Sequence, residues 1–197
     1  MTGVLRLVAV GDDRLRRAAL SGMIKRNASD VGVGRSGIAG LGVFAARPFA
    51  AGETVLRLDD SRVVDDKHPL DTAAGELAHH CDYLAGGRVV LMPSPECYIN
   101  SSCEPNTWVV TREGIRHVVA LTAIDAGDEV TYDYLINCHA GVVWRCHCGT
   151  GRCRGTIPGS FFDLPAEEQQ RLRALLDGWF VAEHADRLRA LDQEAGS

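Results

Sequence analysis

Apolar positions fall in short runs through the middle of the chain, most of them rich in valine, isoleucine and threonine and closed off by glycine or proline. Such runs signal strands, because β-branched side chains suit a pleated surface and Gly or Pro interrupts the ladder. Residues 43–46 and 54–58 read as two short strands around Pro48 and Gly52, and residues 88–92 as another that Pro93 and Pro95 end. Residues 108–112 and 115–121 flank Glu113 and Gly114 and predict a hairpin, and residues 129–132 predict one more strand. Residues 63–69 read as loop, and residues 71–83 as a short internal helix. Near the start, residues 4–10 read as a strand, and residues 12–26 place Leu15, Ala18, Ala19 and Met23 on one helical face. Beyond Pro165, Leu172, Leu175, Leu176, Trp179, Phe180, Leu188 and Leu191 recur at helical spacing, which predicts one or two amphipathic helices packed against the sheet. The pattern is mainly β, of the α+β class. Phe49-Ala-Ala-Gly-Glu-Thr-Val55 and Ile124-Asp-Ala-Gly-Asp-Glu-Val130 share a plan of apolar anchor, Ala-Gly turn, acid and strand, a recurring turn and not a solenoid repeat.

With 197 residues the chain has room for one domain with a sizeable core. Lys plus Arg is 21 against Asp plus Glu at 26, a net charge of −5 that disfavours tracking a phosphate backbone and favours a basic partner. Direct nucleic-acid binding is not expected. No apolar run approaches the roughly 20 residues of a membrane span, and Arg6 interrupts residues 4–10, so a soluble, unsecreted protein with no membrane attachment is expected. Lys25 and Lys67 are the only lysines beside many arginines, a bias of GC-rich genes that points to a bacterial cytosol.

The glycine pattern Gly32-Val-Gly34-Arg-Ser-Gly37 satisfies a dinucleotide fingerprint, with Asp59 at a fitting distance, but its context fails. That motif needs a buried strand before it and a helix after it, whereas the preceding segment is polar and Gly40, Gly42 and Pro48 forbid the helix. The cysteines say more. Cys146-His-Cys148-Gly-Thr-Gly-Arg-Cys153 crowds three thiols into one tight loop, too close for unstrained mutual disulfides and well spaced for zinc. A structural zinc takes four ligands, so His147, Cys138 or a distant cysteine must complete the set. His147 alternates with its neighbours and points away from them, which favours a remote thiolate that also ties the tail to the body. Asn100-Ser-Ser-Cys103-Glu-Pro-Asn106 is a well-made polar turn. Tyr132 and Tyr134 project from one side if their strand continues.

In this order, Gly40-Leu-Gly42-Val-Phe-Ala, Asn100-x-x-Cys103-x-Pro105-Asn106, Asp128-Glu-Val-Thr-Tyr-Asp-Tyr134 and Cys146-x-Cys148-x4-Cys153-x-Gly155 resemble the SET domain of protein lysine methyltransferases with its post-SET zinc loop, over about residues 33 to 160. The resemblance implies a fold of small curved β-sheets with knot-like C-terminal threading. It divides the chain into an N-terminal extension at 1–30, the SET domain at 31–140, the post-SET loop at 141–160 and a helical segment at 161–197. It implies that Gly40, Leu41 and Gly42 let the backbone approach S-adenosylmethionine, where a Cβ at either glycine would intrude. It further implies that Asn100 holds the methionine portion of this donor, Ser101 meets adenine through its main chain, and Trp144 packs on adenine. Cys103 becomes the fourth zinc ligand beside Cys146, Cys148 and Cys153. Tyr134 matches the catalytic tyrosine, Tyr132 the position whose hydroxyl favours fewer methyl groups, and Tyr83 a channel residue or a plain helix-end aromatic. Ser101 and Cys97 depart from the usual histidine and arginine.

The function implied is S-adenosylmethionine-dependent methylation of a lysine in a basic protein or peptide. The two departures keep open a catalytically degenerate domain acting as a zinc-stabilised binding protein. The short insert before Asn100 keeps open a methyltransferase for a small-molecule amine.

Overall fold

A computed structural model describes residues 30–138 and 141–194. The strand and helix expected over residues 4–26 lie outside the described residues. Among the described residues, no helix is long and apolar enough to cross a membrane.

Among the described residues, twelve short strands form four small sheets. β1 (Val31–Arg35) and β2 (Leu41–Ala45) make an antiparallel hairpin, β10 (Glu129–Tyr132) pairs antiparallel with β2, and β7 (Asn100–Ser101) pairs parallel with β10. β3 (Thr54–Arg57), β9 (Ile115–Ala120) and β8 (Thr107–Arg112) form the second sheet, and β4 (Val63–Val64), β6 (Val89–Leu91) and β5 (Cys81–Tyr83) the third. β11 (Trp144–Arg145) and β12 (Thr156–Ile157) make a two-stranded ribbon. The β8–β9 hairpin stands where the apolar runs put it. Its turn residues Glu113 (φ 53) and Gly114 (φ 77) are both left-handed, which matches the twist of the flanking strands.

The recurring turn has a structural meaning. Phe49 and Ile124, the anchors of the two copies, exchange both main-chain hydrogen bonds, at 2.9 and 3.0 Å. In each copy the acid reaches back to cap the turn: Glu53 Oε2 accepts from the Ala50 amide at 2.9 Å, and Asp128 Oδ2 from the Asp125 amide at 3.0 Å. Gly52 donates to Ala120 and Gly127 to Ala45, both at 2.8 Å, so the two turns are related by a local two-fold about the Phe49–Ile124 bridge. Val43, Val118, Val130 and Ile99 pack around this pair as the first core.

Residues 71–83 are not a helix. They form two 3₁₀ turns, Thr72–Ala74 and Ala78–His80, and then β5. Asp71 caps the first turn on the Ala73 and Ala74 amides, and Gly75 at φ +86 ends it in a left-handed residue that no continuing helix accommodates. Residues 63–64, expected as loop, pair as β4 with β6. The C-terminal segment holds three helices, α1 (Ala166–Leu172), α2 (Gly178–Glu183) and α3 (Ala185–Glu194), where one or two were expected. They do not rest chiefly on a sheet. Leu172, Phe180 and Leu188 build a second core with Leu135, Ile136, Ile157, Phe161 and Cys103. Asp177, 4% exposed, breaks the helical run because its carboxylate serves the main chain and hydroxyl of Thr111 on β8, at 2.8 and 2.6 Å.

Arg116 joins the second and third sheets. Its guanidinium is buried and spans Asp60, at 2.6 and 2.9 Å, and Asp82 on β5. Beside it Glu96 is buried with one oxygen accepting from the Asp59 amide at 2.8 Å and the other without a hydrogen-bond partner. Burial pushes the Glu96 carboxyl up to about 7, helped by the charges of Asp59 and Asp60 and opposed by the Asp59 amide and Arg116. The native state therefore keeps this proton where the unfolded chain loses it, and stability falls as pH rises from the ordinary carboxylate range to about 7. Glu96→Gln keeps the acceptor and removes the titration. Its stability advantage over the native chain is expected to grow by on the order of 1–3 kcal/mol between about pH 5 and pH 8. Urea midpoints at the two pH values check this; an advantage that does not change with pH contradicts it.

Candidate active site

β10 carries the site. Its pairing with β2 on one side and β7 on the other brings the glycine turn, Asn100 and the tyrosine pair to one place. Asn100 Nδ2 donates to the carbonyls of Ala39 at 3.2 Å and Leu41 at 2.9 Å and to Glu129 Oε1 at 2.8 Å. Ser36 Oγ donates to the same carboxylate at 2.7 and 2.9 Å. The turn, the asparagine and the first residue of β10 are thus one hydrogen-bonded unit.

The two glycines are needed for different reasons. Gly40 stands at φ +48, a left-handed conformation, with open space where a Cβ would be, so its backbone and not crowding calls for glycine. At Gly42 a Cβ would lie 2.3 Å from Glu129 Oε1 and 3.0 Å from Ser36 Cβ. What a side chain there would displace is the carboxylate that holds Asn100. Within the protein itself, glycine is thus demanded by conformation at Gly40 and by Glu129 at Gly42.

Tyr132 and Tyr134 do share a side, their ring centroids 5.0 Å apart, and Trp144 on β11 comes within 6.0 Å of Tyr134. The Tyr134 hydroxyl donates to the Ile99 carbonyl at 2.6 Å. Burial pushes this phenol up to about 12, with the charge of Asp82 adding to it, and burial raises Tyr132 as well. Both hydroxyls keep their protons across the physiological range. Ser101 Oγ accepts from the Tyr134 amide at 3.3 Å, which anchors the chain at the tyrosine. Tyr83 stands on β5, 64% exposed, and is not a helix-end residue.

The loop after the tyrosines returns on itself. Gly141 donates to the Gly159 carbonyl at 2.5 Å and Phe161 to that of Cys138 at 2.8 Å, closing both ends. Inside it the Sγ atoms of Cys146, Cys148 and Cys153 meet that of Cys103, all four within 4.8 Å of one another, and all are free thiols. A zinc–sulfur bond of about 2.3 Å puts tetrahedral sulfurs about 3.8 Å apart, and Cys103 and Cys146 lie at 3.6 Å. His147 is exposed and Cys138 bonds Gly159, so neither joins the set. Burial raises the thiols of Cys103 and Cys146, while Cys148, despite burial, is held down at about 6 by Thr150 and nearby amides. A cation is what makes four thiolates side by side favourable. The residues fit zinc.

Three partners carry this geometry without having been singled out from the sequence: Glu129, Asp133 and Arg154. Asp133 lies fully buried between the two tyrosines, with Arg154 Nη2 at 2.7 Å. The signal for Arg154 was its place directly after the last thiol, and for Asp133 its place between the aromatics.

A family model described as SET domain matches residues 40–135. The chain is 34% identical over 151 residues to histone-lysine N-methyltransferase ash1 of Drosophila melanogaster, covering 69% of this chain and 7% of that protein. It is 28% identical over 172 residues to histone-lysine N-methyltransferase ATX2 of Arabidopsis thaliana, covering 70% and 13%. With histone-lysine N-methyltransferase 2B of Homo sapiens it shares 34% identity over 141 residues, covering 66% and 5%. The chain spans only a small part of the length of these relatives.

Proposed function

Residues 40–135 of this chain belong to the SET domain family of protein lysine methyltransferases, and from that premise we propose that the protein transfers a methyl group from S-adenosylmethionine to the amine of a lysine side chain. The observation that carries the reading is the convergence of Asn100, Tyr132 and Tyr134 beneath a loop fastened by four thiols.

S-adenosylmethionine, when bound, supplies a methyl group made electrophilic by its sulfonium. Asn100 holds the methionine portion: its amide nitrogen is spent on the glycine turn and Glu129, which leaves Oδ1 to accept from the ligand. The Ser101 main chain meets adenine and Trp144 covers it. Tyr134 does not act as a base. Its hydroxyl proton is engaged by Ile99, so its oxygen offers lone pairs to the amine and the methyl group and stabilises the positive charge spreading between them. A free lysine amine has a pKa near about 10.4, and an apolar setting beside the clustered rings of Tyr132, Tyr134 and Trp144 would disfavour the ammonium form, its proton passing to water before attack. Cys103, Cys146, Cys148 and Cys153 would hold zinc as a structural ion that keeps Trp144 beside Tyr134.

The net charge of −5 suits a basic peptide as substrate. At the Ser101 departure the hydroxyl accepts from the Tyr134 amide at 3.3 Å. Titration calorimetry of S-adenosylmethionine into zinc-loaded protein is expected to give saturable binding. Absence of binding leaves only a binding module. Methyl-labelled donor added with a cell lysate is expected to label protein; label confined to small molecules points to an amine metabolite as substrate.

Gly42→Ala pushes the Glu129 carboxylate away from Asn100. Loss of one charge-assisted hydrogen bond to Asn100 is expected to weaken donor binding by about tenfold. An unchanged dissociation constant would show that Glu129 does not set the asparagine.

A further inference from the structure

We propose that Arg154 is the positioning residue for Tyr134, coupling the fastening of the thiol loop and of the C-terminal helices to the aim of the catalytic tyrosine; the proposal rests on the methyltransferase reading above. Three elements converge on Arg154. Its amide donates to Cys103 Sγ at 3.4 Å, its guanidinium reaches Asp133 at 2.7 Å, and Nη2 and Nε reach Glu168 on α1 at 2.8 and 3.2 Å. Glu168 also takes Arg171 at 2.7 Å, and Arg171 donates to the Cys103 carbonyl at 3.3 Å, so the contacts close a ring around the buried cysteine.

Asp133 is the lever. It stands in the chain between Tyr132 and Tyr134, whose ring centroids lie 5.0 Å apart, and its own carboxylate is turned to Arg154 and to the Leu135 amide. Holding that carboxylate fixes the rotation of this segment about its axis, and with it the direction in which both rings project. The Asp133 carboxylate is fully buried and accepts from the Leu135 amide at 3.1 Å, a bond that tightens the turn just past Tyr134. A carboxylate so enclosed stays put only with a cation against it, and Arg154, itself almost wholly buried, supplies that cation. Arg154 arrives only because the loop is fastened at the thiols and α1 offers Glu168. The tyrosine is therefore aimed when the tail is docked, and lysine would meet a misdirected hydroxyl when it is not. An error of about 1 Å in such a group costs up to about a hundredfold in rate.

Asp133→Asn keeps the shape of the side chain and its acceptor for Leu135 while losing the charge. Arg154→Gln removes the guanidinium, and Arg154→Lys keeps one cation that reaches a single carboxylate. With zinc content equal to that of the native protein, the first two are expected to lower kcat by about tenfold or more with KM for donor and peptide changed less than about twofold, and Arg154→Lys to recover part of the loss. A purely structural role would lower the unfolding temperature and leave kcat unchanged well below it. If Arg154→Gln does not fold, Asp133→Asn decides. As a readout independent of turnover, protein carrying carbon-labelled tyrosine is expected to show the Tyr134 ring resonance shifted or broadened in the zinc-loaded variants. A resonance shifted in the variants, with native protein that itself shows no turnover, would sink the methyltransferase reading and keep the positioning role. Native kcat and an unmoved Tyr134 resonance in folded, zinc-loaded Asp133→Asn would overturn the proposal.

Discussion

Tyr134→Phe is expected to lower methyl transfer by about a hundredfold or more while donor binding stays within a few fold. The magnitude follows from the position of the hydroxyl. Its oxygen is held by a 2.6 Å bond to the Ile99 carbonyl, so it is set in place before the substrate arrives, and preorganised dipoles aimed at developing charge are worth about 2.7–4 kcal/mol each in dry sites. The ring remains in the variant and still packs against Tyr132 and Trp144, which is why the aromatic cluster, and with it donor binding, persists. The Ile99 carbonyl loses its partner, at a cost of about 1 kcal/mol in stability. Because burial holds the phenol at about 12, the activity of the native enzyme should show no limb that belongs to Tyr134 ionisation below pH 9 or so. Turnover by Tyr134→Phe equal to that of the native chain would show that the reacting atoms lie elsewhere.

Cys103→Ser has the second large effect. Cys103 is the one thiol of the four that comes from the body of the domain; the others arrive with the loop that carries Trp144. Serine is a poor zinc ligand at neutral pH, and three thiolates from one short loop cannot alone hold the loop to the body. Binding of a structural zinc contributes directly to folding, by about 10–16 kcal/mol for isolated zinc sites, so loss of a quarter of the ligands is expected to release most of the metal. Trp144, the Arg154 amide and the α1 contacts should loosen together, because the second core is built on Cys103. Zinc per chain measured by atomic emission is expected to fall well below the native value, with donor binding weakened tenfold or more. Treating native protein with a strong chelator should reproduce both effects. Full zinc in the variant would place the fourth ligand elsewhere.

The strands were legible where short β-branched runs meet strong turn residues. β8, β9 and β10 need nothing beyond their β-branched runs and the Glu113-Gly114 turn, and the twin Ala-Gly turns announce themselves by their shared plan. The third sheet was hidden because β4 and β5 are too short to carry a period, and Asp71 with Leu77 mimics a capped helix. The break between α1 and α2 was hidden because Asp177 reads as a surface acid until Thr111 is seen to need it. In the site, the three clustered thiols declare metal chemistry by spacing alone, whereas Cys103, Asn100 and Tyr134 were found through resemblance. Their partners were legible in neither way. Glu129 binds Asn100, and Arg154 binds Asp133, across long stretches of chain, and no local pattern marks a polar residue whose role is to meet another from a distant segment.

The most direct test is mass spectrometry of lysine-bearing basic proteins incubated with the zinc-loaded chain and S-adenosylmethionine. Addition of one or more methyl groups at a lysine Nζ is expected, dependent on Tyr134 and on zinc. Proteins that emerge with unmodified lysines, from a chain shown to hold both zinc and donor, would contradict a lysine methyltransferase.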